Sequence, residues 1–171
     1  MHEKVLPAGT VLKIRCSTYW HYGISDGQGY VVHNSKKWRK VARETEDEFA
    51  EGHVIVESSI RGEDPAIAVS FALRQLGRPY DLFSQNCEQF VREAHGLPVE
   101  CTQFQRLVVV AAGGYISMSA TTPLIKMAGL GLLIGAAISS SERSPYKSAV
   151  NGAKLAVGST LLVISLLRRF F

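Results

Sequence analysis

Cysteine is scarce: Cys16, Cys87 and Cys101 are odd in number and unevenly spaced. They make no disulfide framework and favour a reducing compartment. The opening Met1-His2-Glu3-Lys4-Val5-Leu6-Pro7 has no apolar core of signal-peptide length, which argues against secretion by that route. Acidic residues almost vanish near the end. From Arg106 to Phe171 there is one acid against seven bases, a net of +6, whereas up to Gln105 there are 14 against 12, a net of −2. Basic residues of the tail are not clustered among aromatics as phosphate neutralisation requires, so nucleic acid is excluded as a partner and an anionic membrane surface is favoured. No internal repeat or low-complexity segment is present. What is there is 171 residues, 46% apolar and 20% charged, enough for one ordinary domain and an appendage.

The first part reads as strands followed by helices. Thr10 to Arg15 is rich in branched residues and follows the Pro7-Ala8-Gly9 turn. Tyr22 to Ser25 and Gly29 to His33 are two further strands around the turn residues Asp26-Gly27-Gln28. His53 to Ser58 is a fourth, and the charged run from Lys36 to Glu51 reads as an irregular or short helical excursion with a solvated face. Asp64-Pro65 starts a helix carrying Ala68, Phe71, Ala72 and Leu76, with Gly77 ending it. A second helix begins near Asn86, buries Phe90, Val91 and Ala94, and closes at His95-Gly96-Leu97-Pro98. This order predicts an α+β domain over residues 1–105, an antiparallel sheet packed on helices. Residues 106–171 form a hydrophobic, basic, membrane-associating region: Leu107 to Ile138 and Ala149 to Leu167 as a helical hairpin around the polar loop Ser139 to Ser148. Gly113, Gly114, Gly129, Gly131 and Gly135 would let its helices approach closely. A competing expectation, prompted by Lys126 and Lys154, is that these segments complete a soluble core.

Two histidines on a hairpin and a cysteine opening a helix carry the chemistry. With Asp26-Gly27-Gln28 as the loop, Ser25 pairs with Gly29 and His21 with His33, bringing the two Cβ atoms to roughly 4.5–5.5 Å. A two- or four-residue loop would give His21 another partner. Cys87 follows Asn86 at a helix N-terminus, where backbone N–H groups favour a thiolate and can receive an oxyanion. Tyr19 shares the strand face of His21 if that strand reaches back to it, and with Asn86 is the expected substrate or oxyanion contact. His21, His33 and Cys87 lack a fourth ligand and close pair spacing for zinc, so neither metal nor cofactor is expected. His2, His53, His95, Cys16 and Cys101 read as surface or structural residues.

Tyr19-Trp20-His21-Tyr22-Gly23-Ile24, Gly27-Gln28-Gly29-Tyr30-Val31-Val32-His33 and Asn86-Cys87-Glu88-Gln89-Phe90-Val91 resemble, in order and residue type, the lecithin:retinol acyltransferase-like family of permuted papain-like thiol enzymes. The resemblance spans Leu6 to Gln105. It implies a circularly permuted papain-like fold, with Cys87 as nucleophile, His21 as base and His33 as its orienter. It further implies a glycerophospholipid substrate whose acyl group passes through a thioester to water, an amine or an alcohol. Gln89 departs from the motif, which carries a second His there, and the linker from His33 to Cys87 is compact. The expected location is a membrane, with the catalytic domain facing the cytoplasm. A cysteine peptidase or amidase of the same fold, and a non-catalytic membrane-remodelling protein, are the alternatives.

Overall fold

In the computed structural model, residues 6–81, 86–139 and 142 are described. Contacts group the chain into two units, Met1–Cys101 and Thr102–Phe171.

The first unit is built on a five-stranded antiparallel sheet. Its strands are β1 (Val11–Cys16), β2 (Tyr19–Ser25), β3 (Tyr30–Ser35), β4 (Lys40–Thr45) and β5 (Val56–Glu57), in the order β4-β3-β2-β1-β5. Alternation sends successive side chains to opposite faces. One face carries Val11, Tyr22, Ile24, Val32 and Val41, covered by α2 (Pro65–Arg74) through Ala68 and Ala72 and by α3 (Cys87–Ala94) through Phe90, Val91 and Ala94. The other carries Leu12, Ile14 and Val31, covered by Phe49 of the short helix α1 (Glu46–Ala50). Fully burying a side chain such as Phe90 contributes about 1.5–3 kcal/mol, so the first face anchors α3 firmly.

The helix starts follow their sequence signals. The Asp64 carboxylate accepts from the N–H groups of Ala66 and Ile67, and Pro65 takes the first helical position, where a missing N–H costs nothing. This helix stops at Arg74, and Gly77 follows in the left-handed region at φ 85°. The charged run differs in part from expectation. Residues 36–51 do include a short helix, α1, and residues 36–40 are exposed as expected, but they also hold strand β4, in which two of the charges are paired. Arg43 reaches Asp26 of the β2–β3 turn at 2.8 Å through Nε, and Glu44 turns to His33. The expected strand His53 to Ser58 contracts to Val56–Glu57.

The second unit shows α4 (Thr102–Ser119) and α5 (Pro123–Ile138) packed antiparallel. The stretch expected to be one long helix, Leu107 to Ile138, is therefore broken at Thr122-Pro123, an N-cap position followed by proline. Close approach occurs at Gly113 and Gly129: a Cβ on Gly113 would lie 2.7 Å from Gly129 O, and one on Gly129 2.7 Å from Ser117 N. Gly131, by contrast, faces open space. Among the described residues no helix is long and apolar enough to cross a membrane. The expected second arm, Ala149 to Leu167, and the polar loop apart from Ser139 and Glu142 lie outside the described residues.

Candidate functional site

The β2–β3 turn sets the histidines. Asp26 N–H bonds to Tyr30 O at 2.9 Å, so the loop is Gly27-Gln28-Gly29, one residue later than the expected Asp26-Gly27-Gln28. Both glycines have positive φ, 78° and 84°, and Asp26 Oδ1 accepts from the N–H groups of Gln28 and Tyr30. The register changes accordingly. Ile24 pairs with Val32 and Ser25 with Val31, which puts Gly23 rather than His21 across from His33. The expected direct pairing of the histidines is thus replaced by a diagonal one on the same face, and the rings still meet. His21 Nε2 lies 2.7 Å from His33 Nδ1, with ring centroids 4.9 Å apart and planes at 77°. Gly23 makes room for this: a Cβ there would fall 2.4 Å from Val31 Cγ1 and 3.1 Å from His33 Cβ. Phe49 closes the floor, 5.5 Å from the His21 ring and 5.2 Å from that of His33.

The contact chain continues past His33. Its Nε2 is 2.6 Å from Glu44 Oε2, and Glu44 Oε1 accepts from Trp38 Nε1 at 2.7 Å. Sequence reasoning passed over Glu44 and Trp38 because they sit in the charged run. The signal was the period-2 alternation of Ala42 and Glu44 on a strand paired with β3.

Cys87 opens α3. Asn86 is its N-cap, its side chain accepting from the N–H groups of Glu88 and Gln89, while Gln89 Oε1 accepts from Asn86 N at 3.0 Å. This reciprocal box explains glutamine at position 89. It also commits Asn86 Oδ1 to the helix N-terminus. The Cys87 Sγ is 4.0 Å from Trp20 O and accepts from the Tyr22 backbone. These two residues flank His21 in β2. Ser25 turns its N–H and C=O toward β1, so by alternation Trp20 and Tyr22 turn theirs toward β3. The β2–β3 ladder comprises the two pairs at the turn end, whereas β1–β2 runs from Val11↔Ile24 to Cys16↔Tyr19. Cys87 thus meets the edge of β2 where that ladder has stopped. The structure brings His21 and His33 together and seats Cys87 beside the backbone on either side of His21. No hydrogen bond joins Cys87 to His21 among the described residues.

Electrostatics differ from the helix-end expectation. Burial pushes the Cys87 thiol up to about 11, outweighing the backbone donors of Tyr22 and Glu88, which act in the opposite sense. Burial, then the neighbouring His33 and Lys36, brings His21 down to about 3. His33 is also lowered by burial, against the pull of Glu44. At neutral pH the site therefore rests as a thiol and neutral imidazoles rather than as a thiolate–imidazolium pair.

Tyr19 does lie on β2 and shares the face of His21, as the strand reaches back to it. Burial, then Cys16, raises its phenol to about 12, and Lys36 Nζ sits 4.0 Å from the ring centroid. With Cys16, His21, His33, Lys36 and Lys37 it lines a cavity of about 210 Å³. Cys16 is therefore nearer the chemistry than its sequence context suggested. Cys101 instead donates to the buried Glu88 at 3.5 Å, and the buried His95 accepts from Gly62 N at 3.0 Å, both structural tasks. His2 lies outside the described residues, and His53 is exposed. Among the described residues no group of His, Cys, Asp and Glu is arranged to hold a metal ion.

Comparison with curated proteins finds no match to the chain. The sequence model of the family described as Lecithin retinol acyltransferase matches residues 4–96. That is more than half of the 171 residues and includes both histidines, the cysteine and the turn between the histidines. The chain belongs to the lecithin retinol acyltransferase (LRAT) family.

Proposed function

We propose that the protein is a thiol-dependent phospholipid acyl hydrolase and acyltransferase, working through an acyl-cysteine thioester on Cys87. The family carries acyltransferase and phospholipase-type chemistry in general. The observation that carries the finer reading is the contact between His21 on β2 and His33 on β3, beside the β2 edge that Cys87 meets at the start of α3. Sheet, helix and chain order, with histidines before cysteine, correspond on this reading to a permuted papain-like arrangement.

His21 uses Nε2 toward His33, which leaves Nδ1 for the thiol. The resting thiol is neutral, so attack and proton transfer are coupled: His21 Nδ1 takes the Sγ proton as Sγ bonds to the ester carbonyl carbon. The carbonyl oxygen becomes an oxyanion, received by the Cys87 N–H, the Tyr19 hydroxyl and Asn86 Nδ2. Collapse breaks the carbon–oxygen ester bond, and His21 returns its proton to the departing lysophospholipid oxygen. Water or another acceptor then repeats the sequence in reverse on the thioester. On this reading no cofactor takes part.

Two surfaces support a lipid substrate and a membrane setting with the catalytic unit on the cytoplasmic side. Lys36, Lys37, Trp38, Arg39 and Lys40 are all exposed, and the first two line the histidine cavity. Four cations and an indole beside the site suit an anionic headgroup layer. In the second unit Tyr115, Met118, Leu124, Met127 and Ile138 are each at least 71% exposed, an apolar surface suited to lipid. A peptidase or amidase gains nothing from either.

A second thiol has a claim, because Cys16 lines the cavity that holds both histidines. It sits at a strand end, without the helix N-terminus that Cys87 has. Phospholipid hydrolysis by Cys87→Ser and Cys16→Ser variants separates the two. The expected result is a loss of about 10³-fold or more for Cys87→Ser with an unchanged circular dichroism spectrum, and near-normal turnover for Cys16→Ser. The reverse pattern moves the nucleophile to Cys16, and equal activity in both removes the thiol mechanism.

A further inference from the structure

Glu44 presents two oxygens, and an N–H donor is aimed at each. His33 Nε2 is 2.6 Å from one and Trp38 Nε1 is 2.7 Å from the other. The carboxylate is only 11% exposed, and among the described residues no Lys or Arg lies within ion-pair distance of it. A buried carboxylate is costly unless it is hydrogen-bonded, and here those two donors supply the bonds.

An ionised carboxylate only accepts, and a neutral imidazole has one nitrogen that donates and one that accepts. Burial keeps both rings in this neutral form at pH 7. Facing Glu44, His33 carries its proton on Nε2, so its Nδ1 is a lone pair. The partner 2.7 Å away, His21 Nε2, then carries the proton of that bond. One nitrogen is left on His21, and it is bare.

We propose that Glu44 is a positioning residue that sets the tautomer of both histidines in series, so that His21 offers an unprotonated Nδ1 to the thiol. Trp38 is the second donor that holds the carboxylate in place. This rests on the reading of His21 as the base for Cys87. The same carboxylate stabilises the pair once His21 has taken the proton, since the His21 imidazolium still donates through Nε2 to His33.

The assignment makes an unusual demand on one substitution. In Glu44→Gln the side chain keeps one acceptor and gains a donor, while two donors still face it. When Trp38 holds the amide oxygen, the amide nitrogen confronts His33 Nε2, the His33 proton moves to Nδ1, and the His21 proton moves to Nδ1, blocking the base. Removing the indole donor frees the amide to turn its oxygen toward His33. The double variant Trp38→Phe/Glu44→Gln should therefore be more active than Glu44→Gln alone.

The experiment is nitrogen-15 NMR of the imidazoles in the full-length, histidine-labelled protein at pH 7, alongside kinetics on a dispersed phospholipid. The wild type should show His33 and His21 both protonated at Nε2. Glu44→Gln should move the His33 signal toward the Nδ1 tautomer and lower kcat about 10²-fold or more at similar KM. The double variant should recover about tenfold of that loss. Nδ1 protonation of His33 in the wild type overturns the proposal, as does a double variant no better than Glu44→Gln. The wild-type spectrum needs no variant to fold. It also reads the tautomers whatever Cys87 does, so failure of the thioester chemistry is distinguishable from failure of this assignment.

Discussion

The two units of this chain solve opposite problems. Met1–Cys101 hides polar chemistry inside a sheet: His33, Asn86 and Glu88 are buried, and each has a defined partner. The described part of Thr102–Phe171 leaves large apolar side chains in the open, with Met118 86% and Leu124 80% exposed, on helices joined at a Gly113–Gly129 crossing. Buried polar groups demand fixed geometry, because an unpaired one is expensive. Exposed apolar groups demand only a surface to enter. On the proposed function the difference assigns chemistry to the first unit and delivery to the second, so a change that strikes one should spare the other.

The largest expected effect is at the base. His21→Ala should cost about 10²–10⁴-fold in turnover, and His33→Asn much less, because an asparagine oxygen can still accept from His21 Nε2. Steady-state rates on a dispersed ester check this, and equal losses would mean a shared structural role.

Gly23→Ala tests the geometry without touching a functional group. A methyl at that point meets Val31 and His33 in a filled space, so it should cost about 1–3 kcal/mol of stability and part the rings. Thermal melting should show the first effect and the rate a larger one. An unchanged rate would mean that the diagonal contact is dispensable.

The pH dependence is next. With the folded pKa of His21 lowered to about 3, the unfolded chain binds more protons below its ordinary 6.5. Stability from this group is present above that value and is lost as pH falls through 6.5 toward 3. The Cys87 thiol is raised to about 11 from its ordinary 9.0. Its contribution is present below 9 and is lost as pH rises from there to 11. Melting temperature against pH should fall at both ends, less steeply at the acid end in His21→Phe and at the alkaline end in Cys87→Ala.

Delivery should respond separately. A chain ending at Cys101 should hydrolyse dispersed ester but neither float with liposomes nor act on bilayers. If it still floats, or fails to fold, the division of labour is wrong. The smallest effect belongs to the basic loop. Arg39→Gln/Lys40→Gln should weaken the full-length protein's affinity for anionic vesicles about fivefold per charge at low salt, and leave zwitterionic vesicles unaffected.

Much of the first unit was legible because local signals and tertiary structure agree there. Asp64-Pro65 and Asn86-Cys87 are capping chemistry, and the helices begin where it places them. The register was not legible. Asp26 reads as a loop residue, but its backbone closes the ladder while its side chain folds over the glycines. Strand β4 was missed because Arg43 and Glu44 look solvated until Asp26 and His33 arrive from distant sequence to pair with them. The break at Thr122-Pro123 is the same kind of signal as Asp64-Pro65, overlooked inside a continuous apolar run. Tertiary pairing, unlike capping, leaves only a faint local mark, here the period-2 spacing of Ala42 and Glu44.

The most direct test of the thiol chemistry is mass spectrometry of the full-length protein mixed with a phospholipid and quenched in acid. The account predicts an acyl mass on the peptide carrying Cys87, lost in Cys87→Ser and formed far more slowly in His21→Ala. An acyl mass on Cys16, or none on any cysteine while lipid is consumed, would contradict it.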